Sequence, residues 1–371
     1  MIKVLHYVGK MNRGGMETFI MNLYRSIDRN KIQFDFAVHG TENGDFEEEI
    51  LSMGGKFYNF PHMRKNPFVY KKEWKTFWME HKDDYIAFHF HTNSLANIIA
   101  IKEAAKAGVK KRIIHAHSSF ANKGRLQILN DYLHKMHQKK IKKYANVLFA
   151  CSDKAADWLF GGMGNNGIEV KIIKNAIDVQ KYRMDEMKRK SARKEFGFDD
   201  SHKVIGHIGA FIPVKNHEFL LGVIEQAYKA DNSVRAIFIG GGSMLEDIKE
   251  KVKSKCLEDV IVFTGVRADV DKLFMVMDLF VMPSIYEGLP VSLVEAQANG
   301  IPVLVSDTIT KNVNINPNVI YYSLKEGYKC WAKLALNMLY NIPRYRLQDK
   351  VKAAGFDIEE TARIYMDIIG D

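Results

Sequence analysis

The chain has 371 residues, of which 47% are hydrophobic and 26% are charged, and its formal net charge is +10. This length is natural for two domains of similar size, and the hydrophobic content excludes gross disorder. No apolar run approaches the roughly 20 residues of a membrane-spanning helix, and the three cysteines are too scattered for a disulfide framework or a zinc motif. Residues Met1–Val8 indicate a buried first strand rather than a signal peptide, so we expect a cytoplasmic protein.

The positive charge is concentrated in the first half of the chain. Residues 1–170 contain 26 Lys and Arg against 17 Asp and Glu, and within them residues 56–143 contain 19 against 6. A one-sided basic surface attracts a polyanion such as an anionic membrane leaflet, a nucleic acid or a phosphorylated substrate. A solvated surface without a partner is the alternative. We find no nucleic-acid-binding module and expect no nucleic-acid partner.

Strands and helices alternate in two successive series. The first series predicts strands at 3–8, 33–38, 86–90, 111–115 and 146–151, and helices at 16–26, 47–53, 96–107 and 123–144. The second predicts strands at 204–209, 234–239, 260–263, 279–282 and 302–306, and helices at 217–230 and 289–299. Such alternation predicts α/β domains with parallel, doubly wound sheets, whose ligands bind at the carboxyl ends of the strands. We place the joint near residue 178, before the charged segment 185–201.

The predicted helix 123–144 has an amphipathic, basic character. Apolar residues repeat along one side of it, and lysines crowd its end, namely Leu126, Leu129, Leu133, Met136 and Lys139–Lys143. Basic amphipathic helices lie on anionic membranes, which would make the protein peripheral at the inner face of the cell membrane. A helix that faces the core and has a solvated basic end is an equal alternative.

The strongest chemical signal runs from Tyr286 to Glu295, with the sequence Tyr-Glu-Gly-Leu-Pro-Val-Ser-Leu-Val-Glu. It follows a predicted strand and leads into a helix whose first turn suits Pro290. The free N–H groups at that helix start form an anion site for a diphosphate. Glu295 can accept both hydrogens of a ribose diol, and Glu287 can meet sugar hydroxyls beside the phosphates.

The stretch Glu287–Gly300, followed by Ile301-Pro-Val-Leu-Val-Ser-Asp307, resembles the donor-site signature of the retaining GT-B glycosyltransferases of family 4, especially bacterial enzymes of capsule, exopolysaccharide and O-antigen assembly. Four further segments resemble the family in order and spacing: Gly14-Gly-Met-Glu17, Ile114-His-Ala-His-Ser118, Lys174-Asn-Ala-Ile-Asp178 and Gly209-Ala-Phe-Ile-Pro-Val-Lys-Asn-His217. The resemblance implies two Rossmann-like domains facing a cleft. Residues 1–178, with a returning C-terminal helix of about 358–371, would bind the acceptor, and residues 179–357 would bind the donor.

The resemblance also implies roles for single residues. The catalytic group would be Glu287, His117 and Lys215, with the lysine neutralising the donor diphosphate as the nucleotide leaves. The donor-binding residues would be Gly14, Gly15, Lys215, Val266, Arg267, Glu287, Gly288, Leu289, Pro290 and Glu295. The family usually has an arginine where this chain has Ala210, which removes one cation from the diphosphate.

The expected reaction moves a sugar, with retention, from a nucleotide sugar to a glycan or a polyprenyl-diphosphate-linked acceptor. UDP is the expected nucleotide, with GDP as the alternative, and no cofactor or metal is expected. His89, His91 and His115 lie near His117 in sequence and would allow a metal cluster, which the fold class does not need. Two other functions stay open, namely a nucleotide-sugar epimerase of the same fold and a weakly catalytic, nucleotide-sugar-binding subunit that supports a partner transferase.

Overall fold

We describe a computed structural model, which covers residues 1–40, 44–118, 127–162 and 167–370. The chain divides into two units. The N-terminal unit comprises Met1–Ala176 and Ile358–Asp371, and the C-terminal unit comprises Ile177–Asp357. Among the described residues, no helix is both long enough and apolar enough to cross a membrane.

The N-terminal unit alternates strands and helices around one parallel sheet. Its strands are β1 (Ile2–Tyr7), β2 (Ile32–His39), β3 (Phe57–Phe60), β4 (Ala87–Thr92), β5 (Lys111–Ala116), β6 (Val147–Ala150) and β7 (Val170–Ile172). Its helices are α1 (Gly15–Ser26), α2 (Glu47–Ser52), α3 (Pro67–His81), α4 (Ile99–Ala107), α5 (Gln127–Gln138) and α6 (Asp153–Phe160), together with the C-terminal helix α14 (Ile358–Gly370).

The strand order of this sheet is β3-β2-β1-β4-β5-β6-β7, and every pairing is parallel. One face packs against α1 and α14, where Phe19 and Tyr365 are buried. The other face packs against the apolar sides of α3, α4 and α6, with Trp74 and Trp78 fully buried. Burial on both faces explains the near-continuous apolar runs of these strands.

The C-terminal unit repeats this architecture. Its strands are β8 (Lys203–Ile208), β9 (Val234–Ile239), β10 (Ile261–Gly265), β11 (Leu279–Met282), β12 (Val303–Ser306) and β13 (Val319–Tyr322). Its helices are α7 (Glu186–Glu195), α8 (His217–Ala230), α9 (Leu245–Ser254), α10 (Val270–Val276), α11 (Val291–Asn299), α12 (Gly327–Asn341) and α13 (Gln348–Val351). The parallel strand order is β10-β9-β8-β11-β12-β13.

This architecture confirms the predicted pair of doubly wound domains, and the C-terminal helix packs within the N-terminal unit as expected. The predicted helix 123–144 is wrong at its carboxyl end, because α5 ends at Gln138 and a separate 3-10 turn, Ile141–Lys143, carries the last lysines. Its predicted start and Leu126 lie outside the described residues. The sequence pattern also missed the strands β3, β7 and β13, as well as the helices α3, α6, α7, α9, α10, α12 and α13.

Candidate active site

Lys215 and Glu287 form an ion pair in the C-terminal unit. Lys215 Nζ lies 2.6 Å from Glu287 Oε1, and the two side chains are 17% and 13% exposed. Lys215 ends a 3-10 turn after β8, and Glu287 follows β11. Because β8 and β11 are parallel neighbours, the segments that leave their carboxyl ends emerge side by side.

A backbone hydrogen bond holds these two segments together. The N–H of Ile285 donates to the Val214 carbonyl over 2.8 Å. An apolar depression of about 420 Å³ lies at the same place, lined by Ile212, Pro213, Val214, Ile285 and Tyr286. The ion pair therefore lies next to this apolar depression, because Val214 and Tyr286, which line it, directly precede Lys215 and Glu287 in the chain.

Helix α11 begins immediately after this ion pair. Gly288 and Leu289 lead to Pro290, which has φ −75° and ψ 95° and precedes the first helical residue. Within the described chain, no side chain caps this helix start. The first N–H groups of a helix lack intrahelical acceptors, so this end offers donors and the positive pole of the helix dipole to an anion.

Glu295 projects from the second turn of α11 and is buried with Tyr182. The Tyr182 hydroxyl donates to Glu295 Oε1 over 2.6 Å, and the two residues are 8% and 7% exposed. Burial raises the pKa of Glu295 to about 7, although the tyrosine hydrogen bond and the charge of Lys181 oppose this shift. One carboxylate oxygen is therefore held in place, and the group ionises near neutral pH.

Arg267 is neutralised by acidic neighbours. Its guanidinium donates two hydrogen bonds of 2.8 Å to Asp269 and one of 3.0 Å to Glu195. The arginine hydrogen bonds lower the pKa of Asp269 to about 2. Val266, the residue before it, is 57% exposed beyond β10. The donor-binding roles of Val266 and Arg267 stay predictions, and this guanidinium offers no spare cation where the family arginine is replaced by Ala210.

Gly240 and Gly242 serve the packing of two loops. Both have positive φ, 141° and 152°, which side chains with L chirality rarely adopt. A Cβ at Gly240 would overlap the Gly209 carbonyl, and one at Gly242 would overlap the Phe211 backbone. These two glycines let the segment after β9 lie on the segment that carries Lys215.

In the N-terminal unit, Gly14 and Gly15 open helix α1. Gly14 is the extended residue before the helix, with φ −92° and ψ 169°, and Gly15 is the first helical residue. A Cβ at Gly14 would overlap the Glu17 carboxyl, which folds back over the helix start. Burial raises the pKa of Glu17. Gly14 therefore leaves space for the Glu17 carboxyl group. The predicted contact of Gly14 and Gly15 with the donor stays a prediction.

His117 belongs to a buried cluster with His6, His89, His91 and His115. Parallel pairing sets His6 beside His89 and His91 beside His115, and residues two apart on a strand share a face. His117 Nε2 lies 2.7 Å from His91 Nδ1, and its ring is 7% exposed. Because that nitrogen already faces His91, the predicted contact between His117 and a sugar gains no support from this geometry.

The comparisons with known proteins agree with this architecture. Two family models match, "Glycosyltransferase Family 4" over residues 13–181 and "Glycosyl transferases group 1" over residues 188–321. EpsF of Bacillus subtilis (strain 168), whose name describes a glycosyltransferase, is 34% identical over 338 residues, with 89% of this chain and 86% of EpsF covered. The chain belongs to glycosyltransferase family 4.

Two further similarities extend over the whole chain. The capsular polysaccharide biosynthesis glycosyltransferase CapH of Staphylococcus aureus is 25% identical, with 99% of both chains covered. The crystal structure of Anabaena HepE in complex with UDP superposes with a TM-score of 0.77 at 16% identity, and all of both chains is covered. This family 4 chain thus has the GT-B fold, with two Rossmann-like domains, as the sequence predicted.

The structure brings together some of the predicted residues of the C-terminal unit and adds two that the sequence did not reveal. Lys215, Glu287 and the start of α11 are neighbours, as the family signature implied. Tyr182 was missed because it lies 113 residues from Glu295 and carries no motif. Asp269 was missed as well, although its place two residues after Arg267 was a usable sign of a local ion pair.

Proposed function

We propose that this family 4 glycosyltransferase takes a sugar from a UDP-sugar and transfers it to a glycan or polyprenyl-diphosphate-linked acceptor during cell-surface polysaccharide synthesis. The observation that carries the proposal is the ion pair between Lys215 and Glu287 at the start of the uncapped helix α11. A cation, a carboxylate and free helix donors at one sheet edge suit a sugar diphosphate.

Lys215 has the chemistry that a leaving nucleotide requires. In the transition state, negative charge builds on the diphosphate oxygen that departs, and a positioned ammonium group stabilises it. Glu287 Oε1 lies 2.6 Å from this ammonium group. When donor binds, the diphosphate would share the lysine, and Glu287 would become available to accept hydrogen bonds from sugar hydroxyls.

Glu295 suits the ribose. Its carboxyl group lies on α11, the helix whose N-terminus would face the diphosphate, so one helix would contact both parts of the nucleotide. Tyr182 fixes one oxygen of this carboxyl group. An ionised carboxylate accepts two hydrogen bonds from a vicinal diol, and such charge-assisted bonds contribute about 1.5–3 kcal/mol.

The choice of UDP and of a polysaccharide acceptor draws on the relatives. HepE has been crystallised with UDP and with UDP-glucose, and the name of CapH assigns it to capsular polysaccharide biosynthesis. We further propose retention of the anomeric configuration, with the departing phosphate oxygen taking the proton of the acceptor. Binding energy would then act chiefly through positioning and charge stabilisation, without a metal.

Attachment to the inner face of the cell membrane is part of this proposal. Helix α5 exposes three apolar residues near its start, with Ile128 89%, Tyr132 65% and Leu129 50% exposed. Exposed lysines follow its end, namely Lys139, Lys140, Lys142 and Lys143. Apolar side chains beside lysines suit the headgroup region of an anionic leaflet, where a lipid-linked acceptor would lie.

A screen of thermal stability against nucleotides and nucleotide sugars tests the donor class. A ligand at 100 times its dissociation constant should raise the free energy of unfolding by about 2.7 kcal/mol. We expect UDP and at least one UDP-sugar to stabilise the chain more than GDP does. Stabilisation by GDP alone would contradict the proposed nucleotide.

One specific feature favours a second function, that of a nucleotide-sugar-binding subunit with little activity of its own. Ala210 is exposed in the segment after β8, where the resemblance implied an arginine, and Arg267 is occupied by Asp269 and Glu195. A donor-hydrolysis assay on the isolated chain separates the two functions, because a binding subunit would retain nucleotide affinity but release no nucleotide from the donor.

A further inference from the structure

Five buried histidines lie together in the N-terminal sheet. His6, His89 and His115 are 0% exposed, His91 is 4% exposed and His117 is 7% exposed. The rings of His89 and His91 are 4.0 Å apart between centroids, and those of His115 and His117 are also 4.0 Å apart. Burial of five imidazole rings in a protein core costs free energy unless their nitrogens form hydrogen bonds or bind a metal.

The pairing within the cluster is incomplete. His91 Nδ1 lies 2.7 Å from His117 Nε2, His6 Nδ1 lies 2.9 Å from His91 Nε2, and His89 Nε2 lies 3.2 Å from His115 Nδ1. Three buried nitrogens have no hydrogen-bond partner among the described residues, namely His6 Nε2, His115 Nε2 and His117 Nδ1. Hydrogen bonds between the rings therefore account for only part of the arrangement.

His91, His115 and His117 each have a nitrogen that could bind a metal, and these three atoms all lie within 4.8 Å of one another. Ligand nitrogens around a tetrahedral zinc ion are about 3.3 Å apart, given Zn–N distances of about 2.0–2.1 Å. The rings would have to turn until the three nitrogens reach this spacing. His91 and His117 would then give up their mutual hydrogen bond and turn both lone pairs to the ion.

The outward nitrogens of this triad face suitable acceptors. The backbone of Ile173 lies beside the ring of His115, and the side chain of Asn175 lies beside the ring of His117. His91 Nε2 faces His6 Nδ1. Histidines that bind a metal typically donate their other N–H to such a group, which fixes the ring orientation. His117 Nδ1 and Asn175 Oδ1 are both buried without a hydrogen-bond partner among the described residues, so they could pair when a metal fixes the ring of His117.

The ligand chemistry of the triad favours a late transition-metal ion. Imidazole nitrogen is a preferred ligand of zinc, nickel and copper.

We propose that His91, His115 and His117 form a binding site for one late first-row transition-metal dication of the zinc type. Three neutral ligands leave the charge of the ion uncompensated, so a hydroxide or another small anion would take the fourth position. The site lies in the N-terminal sheet, whereas the expectation of metal-free transfer concerns the donor diphosphate. The proposal does not rest on the identity of the donor or the acceptor.

The test uses the full chain, without a histidine tag, stripped with a chelator and titrated with Zn²⁺ alone. We expect saturable binding of one Zn²⁺ per chain by calorimetry and elemental analysis, together with a higher unfolding temperature. Co²⁺ in place of Zn²⁺ should give the visible absorption of a tetrahedral nitrogen site, a readout that needs no variant. Substoichiometric, unsaturable binding or a Co²⁺ spectrum of an octahedral aqua ion would overturn the proposal.

Variants locate the ion. His115→Gln and His117→Gln should each weaken Zn²⁺ binding about tenfold or more, and Asn175→Ala should weaken it by about 10-fold. The matched control is His62→Gln, which changes an exposed histidine outside the cluster and should leave the affinity unchanged. Equal affinity in folded triad variants, or an equal loss in the His62 variant, would show that zinc binds elsewhere.

Discussion

Tyr182 donates its hydroxyl hydrogen to Glu295 Oε1 over 2.6 Å, which joins two buried residues that are 113 positions apart. We expect Tyr182→Phe to weaken UDP binding, because the carboxyl group loses the contact that fixes its orientation. Because this hydrogen bond lies within the protein, its energy of about 1.5–3 kcal/mol is an upper bound on the binding free energy lost, which titration calorimetry measures.

The matched control for this substitution is Tyr340→Phe. The Tyr340 hydroxyl also donates to a carboxylate over 2.6 Å, that of Asp231, in the same unit. It is exposed and belongs to no predicted site. If both variants bind UDP like the unmodified protein, Tyr182 plays no part in holding the nucleotide.

The affinity for a UDP-sugar should depend on pH through Glu295. Burial places the pKa of this carboxyl group at about 7. Above that value the carboxylate accepts both ribose hydrogens, and below it the protonated form accepts fewer, so affinity should rise as pH increases through 7. Binding curves from pH 6 to pH 8 check this, and Glu295→Gln should give a weaker, flat profile. A slope that persists in the glutamine variant would assign the titration to another group.

The raised pKa of Glu295 also affects stability. Between the ordinary glutamate pKa of about 4.3 and the folded value, the folded protein binds more protons than the unfolded chain. The contribution of this residue to the free energy of unfolding therefore decreases as pH rises from about 4.3 to about 7. This loss of stability arises because the carboxyl group is buried, where a ribose diol could donate hydrogen bonds to it.

The ion pair between Lys215 and Glu287 should act on turnover more than on ground-state affinity. Lys215→Met removes the cation that stabilises the departing diphosphate, and loss of one such contact lowers kcat by about 10²–10³-fold in other enzymes. Glu287→Gln should lower kcat with little change in affinity for free UDP, because its expected partner is the sugar. Steady-state kinetics and UDP calorimetry together measure both effects.

Lys229→Met is the control for this pair, since Lys229 forms an equally short 2.6 Å ion pair with Glu225 on the exposed side of α8. It should leave kcat unchanged. Unchanged turnover in Lys215→Met would remove this lysine from the mechanism, and an equal loss in Lys229→Met would point to a general effect of charge.

The chain should bind anionic liposomes at low salt. Each lysine or arginine near an anionic leaflet contributes about 1 kcal/mol, and the attraction fades as the Debye length falls from about 10 Å at 0.1 M to about 3 Å at 1 M. Co-sedimentation should be strong with anionic vesicles, weak with neutral ones and lost at high salt. Replacement of Lys139, Lys140, Lys142 and Lys143 by Gln should reduce it.

The control for liposome binding replaces four lysines of the C-terminal unit by Gln, namely Lys249, Lys251, Lys253 and Lys255, so the change in net charge is equal. These four substitutions should change liposome binding little if the basic N-terminal half of the chain contacts the membrane. No binding of the unmodified chain at low ionic strength would make a soluble acceptor the better hypothesis.

The sequence predicted the alternating sheets and the cluster around Glu287, because buried parallel strands read as apolar runs and the donor signature is continuous in the chain. It missed α3, although Trp74, Phe77 and Trp78 lie at helical spacing and are buried, because exposed apolar residues such as Phe68 and Met79 obscure that stripe in the sequence. It missed Tyr182 because a single hydroxyl that reaches across the fold leaves no local pattern. The sequence shows the pairs His89/His91 and His115/His117. Their proximity to His6 could not be predicted, because it depends on β1 lying next to β4 in the sheet.

The most direct test of the central claim is the release of UDP from a set of UDP-sugars by the purified chain, with and without a glycan or lipid-linked acceptor. We predict slow release with at least one UDP-sugar alone, faster release with acceptor, and loss of both in Lys215→Met. The product linkage, read by NMR, should keep the anomeric configuration of the donor. Tight UDP binding without any release would contradict the transferase and favour a binding subunit, and an inverted product would contradict retention.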